Sequence, residues 1–88
     1  MDNNLRIAQA VLEKVGGKDN VASVLHCITR LRFELKDRGL VDDEGMKNIP
    51  GVLGTTSGGG LYMVIIGTGV GKVYDQVCKL GNFEAHKS

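Results

Sequence analysis

Hydrophobic positions near the start of the chain recur at Leu5, Ala8, Val11, Leu12 and Val15, with Arg6, Gln9, Glu13 and Lys14 between them. This spacing lines one face of a helix, and Gly16-Gly17 follows where a helix C-terminus favours glycine. The period then changes. Residues 21–27 are rich in β-branched and apolar side chains, and residues 30–36 alternate strictly, with Leu31, Phe33 and Leu35 on one side and Arg30, Arg32, Glu34 and Lys36 on the other. Strict alternation is the mark of a strand with one buried face. Only Ile28-Thr29, or little more, separates the two segments, so they read as a hairpin with Cys27 at or next to its turn.

Asp37-Arg38-Gly39 closes the second strand, and residues 41–48 read as a short helix with Asp42 as N-cap and Asp43 and Glu44 in the favoured first turn. Ile49-Pro50-Gly51 stops it. Residues 52–56 and 61–66 form two further strand candidates around a Ser57-Gly58-Gly59-Gly60 turn. A last helix spans residues 70–80, with Val70, Val73, Tyr74, Val77 and Cys78 on one face and Gly81 as its C-cap. The order αββαββα, with two hairpins around a helix, predicts an α+β open-faced sandwich: a four-stranded, mainly antiparallel sheet with three helices on one face. Residues 1–81 form the domain, and 82–88 read as a flexible tail or linker.

Composition narrows the choice of function. At 88 residues, 42% hydrophobic and 24% charged, the chain has the makings of one ordinary core. Its formal net charge of +1 supplies no overall field for nucleic acid. The charges interleaved with the first apolar positions argue against a signal peptide or a membrane span, so a soluble domain is expected. Cys27 and Cys78 stand far apart without a CxxC pattern, and His26 and His86 complete no ligand set. Neither a disulfide framework, a metal site nor a bound cofactor is expected. Gly67-Thr68-Gly69-Val70-Gly71-Lys72 lacks both the earlier glycine and the following Ser/Thr of a nucleotide-binding loop, and reads as a strand-to-helix turn.

The chemistry concentrates in His26-Cys27-Ile28-Thr29-Arg30-Leu31-Arg32-Phe33. Side chains two apart on a strand share a face, so Arg30 and Arg32 set two guanidinium forks beside a cysteine at a bend. Positive charge favours the thiolate, and paired planar donors fit a phosphoryl group; the amides of Ile28, Thr29 and Arg30 and the Thr29 hydroxyl add anion donors. On chemistry alone the same residues also fit a small buried cysteine beside a solvated basic face. Cys78, on the apolar face of the last helix, reads as core. A cysteine-phosphatase loop is excluded, because Phe33 stands where Cys-x5-Arg needs arginine.

The run His-Cys-Ile-Thr-Arg-Leu-Arg-Phe-Glu-Leu-Lys-Asp resembles the signature of enzyme IIB domains of the bacterial phosphoenolpyruvate-dependent sugar phosphotransferase system, in the glucose, sucrose and β-glucoside superfamily. The likeness extends to Val15-Gly16-Gly17, Asp19-Asn20-Val21, Asn48-Ile49-Pro50-Gly51-Val52, Val64-Ile65-Ile66-Gly67 and Val73-Tyr74. It implies that Cys27 becomes an S-phosphocysteine surrounded by Thr29, Arg30 and Arg32, and that Asp37 supports an arginine by a salt bridge. It further implies a histidyl-phosphorylated enzyme IIA as donor, a membrane-embedded enzyme IIC, fused or associated, and a sugar as acceptor. The site would then lie on the cytoplasmic side of the bacterial inner membrane. His26 is not the family's donor histidine and, as a neighbour on a strand, is expected to face away from Cys27. One departure stands out: the family's Gly-Gly-Gln-x-Gln reads here Gly59-Gly60-Leu61-Tyr62-Met63, which alters a contact near the cysteine or with a partner. A non-enzymatic regulatory or anion-binding module is the alternative reading.

Overall fold

The change of period along the chain is reproduced in a computed structural model, which describes residues 3–83. In chain order come α1 (Asn3–Lys14), β1 (Val21–His26), β2 (Arg30–Leu35), α2 (Asp43–Lys47), β3 (Gly54–Gly58), β4 (Leu61–Ile65) and α3 (Val70–Gly81), with 3-10 turns at Lys18–Asn20 and Arg38–Leu40. The strands lie in the order β1-β2-β4-β3 and pair antiparallel throughout. Alternation in β2 buries Leu31 and Phe33 opposite Val64 and Tyr62 of β4. Onto that face α3 packs against β1 and β2, α2 against β3, and α1 against α2 and α3. The apolar stripe of α1 (Ile7, Ala8, Val11, Leu12) and that of α3 (Val70, Val73, Tyr74, Val77, Cys78) close the core. The expected open-faced sandwich is therefore the observed one.

Three boundaries move, each for a local reason. The third strand begins later than residue 52 because the Val52 N–H bonds the Ile49 carbonyl at 3.0 Å, prolonging the turn. Gly51 sits in that turn at φ +103°, where a Cβ would lie 2.5 Å from Ile7 Cδ1, so the turn is seated on α1. Gly58 pairs with Leu61, which leaves Gly59 and Gly60 as a two-residue turn at φ +59° and +81°. Positive φ at both positions matches the right-handed twist of the flanking strands. At the far end Asn82, at φ +58°, and not Gly81, is the left-handed cap of α3. The Phe83 N–H bonds the Cys78 carbonyl at 2.9 Å and its ring packs on the core. Residues 82–83 thus finish the helix, and the rest of the expected tail lies outside the described residues. The short helix keeps its expected cap, with Asp42 Oδ1 accepting from the Gly45 N–H at 3.0 Å.

Asn20 ties the first helix to the far end of the β1–β2 hairpin. Its side-chain amide donates to the carbonyls of Val15 (2.7 Å) and Asp37 (2.8 Å), and its Oδ1 accepts from the Asp37 N–H at 2.9 Å. It is the buried polar residue among the described ones. Asn20→Ala would strand three backbone groups, so a loss of about 2–3 kcal/mol is expected. An unfolding free energy from urea titration within about 0.5 kcal/mol of wild type would contradict this account.

Asp43 pins α2 to the sheet. Its Oδ1 accepts from the Tyr62 hydroxyl and the Thr55 hydroxyl, each at 2.7 Å, and its Oδ2 pairs with Lys47 at 3.0 Å. The Tyr62 bond first, then Thr55 and Lys47, holds the carboxyl at about 2, while burial and the same bond push the Tyr62 hydroxyl upward. A carboxyl depressed on folding favours the native state above its unfolded value of about 3.9, and that contribution disappears as pH falls toward about 2. Between pH 4 and 2 the wild type should therefore lose more of its urea midpoint than Asp43→Asn; equal losses would rule the carboxylate out.

Candidate functional site

Cys27 is the first residue beyond β1, and its N–H donates to the Arg30 carbonyl at 3.0 Å, closing the bend around Ile28-Thr29. The bend is held from the segment just beyond β4: the Thr29 carbonyl accepts from the N–H groups of both Ile66 (2.8 Å) and Gly67 (2.9 Å). In a trans peptide the carbonyl and the following N–H point in opposite directions. Anchoring the Thr29 carbonyl toward the end of β4 thus turns the Arg30 N–H the other way, onto the Cys27 sulfur, where the Thr29 N–H joins it. The sulfur is exposed. Desolvation, the largest single influence, pushes the thiol up, but the two amides, followed by the charges of Arg32 and Arg30, together outweigh it and leave the thiol below its ordinary value. Of the three amides expected at the bend, those of Thr29 and Arg30 reach the sulfur, while Ile28 holds its side chain out at 86% exposure.

Arg30 and Arg32 share the helix-free face, as alternation predicts. Arg30 is exposed opposite Ile65; Arg32 is half-buried between its cross-strand neighbours Leu25 and Met63. Its Nε is buried with no hydrogen-bond partner. A charged donor left unsatisfied is costly, and an anion oxygen arriving at this face would satisfy it. Leu61 and Met63, which occupy the two glutamine positions of the sequence motif, are half-buried along β4. The weak thioether acceptor of Met63 does not compete strongly for the Arg32 donors.

Asp37 requires a correction. It lies beyond the other end of β2 from Cys27, and its carboxylate accepts from the Gly39 N–H at 2.8 Å as the cap of a 3-10 turn. The ion pairs among the described residues join Lys14 to Glu13 and Asp42, and Lys47 to Asp43, so no arginine is held by Asp37. A six-residue strand at about 3.3 Å per residue separates the two ends, too far for a side chain to bridge. Cys78 is buried on α3 as expected, and burial pushes its thiol up.

His26 faces the helices, its ring 4.5 Å from that of Tyr74, which is the orientation opposite to Cys27 that alternation requires. Its Nδ1 nevertheless lies 3.0 Å from the Cys27 carbonyl, a contact the sequence did not signal because it runs through the backbone. Three grooves of about 410, 500 and 340 Å³ lie elsewhere on the surface, and Cys27 lines none of them. No group of three His, Cys, Asp or Glu side chains is gathered for a metal among the described residues, and none of their helices is long and apolar enough to cross a membrane. The site is a tip with an exposed thiol, two amides and two guanidinium groups, suited to meeting an anion carried by another molecule.

Comparison with known proteins gives this tip a context. A family model described as phosphotransferase system, EIIB, matches residues 9–42, which run from α1 through Cys27 to the start of α2. The β-glucoside-specific EIIBCA component of Halalkalibacterium halodurans is 46% identical over 79 residues, covering 90% of this chain and 12% of that protein. The sucrose-specific EIIBC component of Staphylococcus xylosus is 46% identical over 84 residues, covering 94% of this chain and 18% of that protein. The chain thus spans less than a fifth of the length of these curated relatives. One domain of a IIabc component of the phosphotransferase system from Clostridium difficile matches with a TM-score of 0.83 and 35% identity, over 98% of this chain and 95% of that one.

Proposed function

Since the chain belongs to the EIIB family of the phosphotransferase system, we propose that it carries a phosphoryl group on Cys27, taken from a histidyl-phosphorylated enzyme IIA and passed to a sugar held by a membrane enzyme IIC. In the first step the thiolate attacks phosphorus in line; the S–P bond forms, the P–N bond of the donor breaks, and the imidazole keeps the electron pair. In the second a sugar hydroxyl oxygen attacks the same phosphorus; the S–P bond breaks, the thiolate leaves, and the hydroxyl proton passes to a base at the acceptor site. Arg30 and Arg32 spread the charge on the phosphoryl oxygens, and the Thr29 and Arg30 amides stabilise the sulfur anion both before attack and on departure.

The observation that carries this reading is the exposed sulfur, its thiol lowered, at a tip backed by an arginine whose Nε is buried and unsatisfied. A projecting nucleophile suits a domain that meets two partners in turn. Ile28 and Leu53, 86% and 74% exposed, supply apolar surface for a protein donor rather than a free metabolite. Relatives whose printed names join EIIB to C, or to C and A, within one chain support an enzyme IIC partner, fused or associated, and an enzyme IIA donor. Beside such a permease the domain works at the inner face of the membrane. The test is incubation with a phosphorylated enzyme IIA followed by intact-mass and peptide analysis. One phosphoryl group on Cys27 is expected, and a chain that stays unmodified beside a competent donor would refute the reading.

A further inference from the structure

A four-residue bend is commonly closed by two opposed backbone bonds between its first and last residues, one of them from the last N–H to the first carbonyl. At the Cys27–Arg30 bend only one of these is made: the Cys27 N–H reaches the Arg30 carbonyl at 3.0 Å, while the Arg30 N–H is turned onto the Cys27 sulfur. The Cys27 carbonyl that this N–H would ordinarily serve is taken instead by His26, whose Nδ1 is 3.0 Å away. A carbonyl oxygen can only accept, so Nδ1 carries the proton. The ring is held in this attitude by Tyr74 of α3, at 4.5 Å between centroids and 50° between planes.

We propose that His26 is a positioning residue for the nucleophile: by donating Nδ1–H to the Cys27 carbonyl it substitutes for the Arg30 amide in closing the bend and thereby reserves that amide for the Cys27 sulfur. The inference rests on Cys27 acting as the nucleophile. Without the imidazole donor the Arg30 N–H is the backbone donor that an ordinary turn would supply to this carbonyl, and recapture would close such a turn. The thiolate would lose one of its two amides, and the phosphoryl sulfur the donor that eases its departure. Tethering at both ends gives the bend its form: Ile66 and Gly67 hold the Thr29 carbonyl from just beyond β4, and His26 holds the Cys27 carbonyl from the helix side. Neither anchor touches the reacting atoms. The charged groups facing the sulfur are Arg30 and Arg32 of β2, and Tyr74 is the titratable group facing the imidazole from α3.

The experiment needs no partner protein. Alkylation of Cys27 by iodoacetamide is followed across pH, site-resolved by peptide mass, in the wild type, His26→Phe and His26→Asn. Phenylalanine keeps a ring against Tyr74 and removes the donor; asparagine restores an N–H near the place of Nδ1. His26→Phe should alkylate about three- to tenfold more slowly at pH 7, with its midpoint displaced upward, and His26→Asn should return to within about twofold of wild type. The Arg30 amide resonance should move as the thiol ionises in the wild type and in His26→Asn, and hold still in His26→Phe. Thermal melting should be nearly equal in all three, since His26 is exposed. Wild-type alkylation in His26→Phe, or an asparagine variant that folds yet stays as slow as the phenylalanine one, would overturn the inference. Phosphoryl uptake by wild-type Cys27 is measured separately, so failure of the positioning role leaves the carrier role standing, and the reverse.

Discussion

Cys27→Ser abolishes phosphoryl uptake from a competent donor, with a loss of at least about a thousandfold, and leaves the fold intact. The size follows from the acid chemistry of the two side chains. At this tip the thiol already sits below its ordinary value, which favours the thiolate, whereas a serine hydroxyl in the same place is a far weaker acid and stays protonated. The amides and arginines that face the sulfur would then surround a neutral, weak nucleophile. Stability should change by less than about 0.5 kcal/mol, because the side chain is exposed and packs in no core. Intact mass after incubation with phosphorylated enzyme IIA and a urea titration check both halves. A serine variant that still gains a phosphoryl group would move the acceptor to another residue.

Arg32→Ala reduces sugar phosphorylation by about 10²- to 10³-fold, and Arg32→Lys by a smaller but clear margin. Arg32 is singled out over Arg30 by its surroundings. It lies between Leu25 and Met63 with its Nε out of water and unpartnered, whereas Arg30 is solvated. A guanidinium fixed by its neighbours loses little freedom on gripping a phosphoryl oxygen, and the low local polarity strengthens the contact. Lysine would keep the charge and lose both the fork and the Nε donor. Arg30→Ala should therefore cost less than Arg32→Ala. Rates of phosphoryl transfer in permease-containing membranes decide the order, and an Arg32 variant at wild-type rate would dissolve the clamp.

Much of the fold was legible because its signals are local. Strict alternation over residues 30–36 identifies β2 and puts Arg30 and Arg32 on the face opposite Leu31 and Phe33 without any knowledge of what packs there. Helical spacing does the same for α1 and α3, and the short linker places Cys27 at the bend. The misreadings occur where a distant residue decides. The start of β3 depends on the turn seated against Ile7, and the cap of α3 on Phe83 closing over Gly81, where a Cβ would strike its ring. Asp37 was matched to the motif by its position in the chain, but its role is set by the strand length that carries it away from Cys27 and by the nearby Gly39 amide.

The candidate site divides in the same way. Which side chains meet at the tip follows from the sequence alone, since residues two apart on a strand share a face and a bend exposes what it carries. Which backbone groups meet there was decided only by tertiary structure. The Ile66 and Gly67 amides reach Thr29 through the pairing of β2 with β4, the Arg32 Nε is buried by neighbours from two other strands, and His26 is held by a tyrosine on the last helix. Side-chain identity and period are written residue by residue, but the direction of a particular N–H depends on partners far away in the chain, and only folding brings them within a hydrogen bond's length.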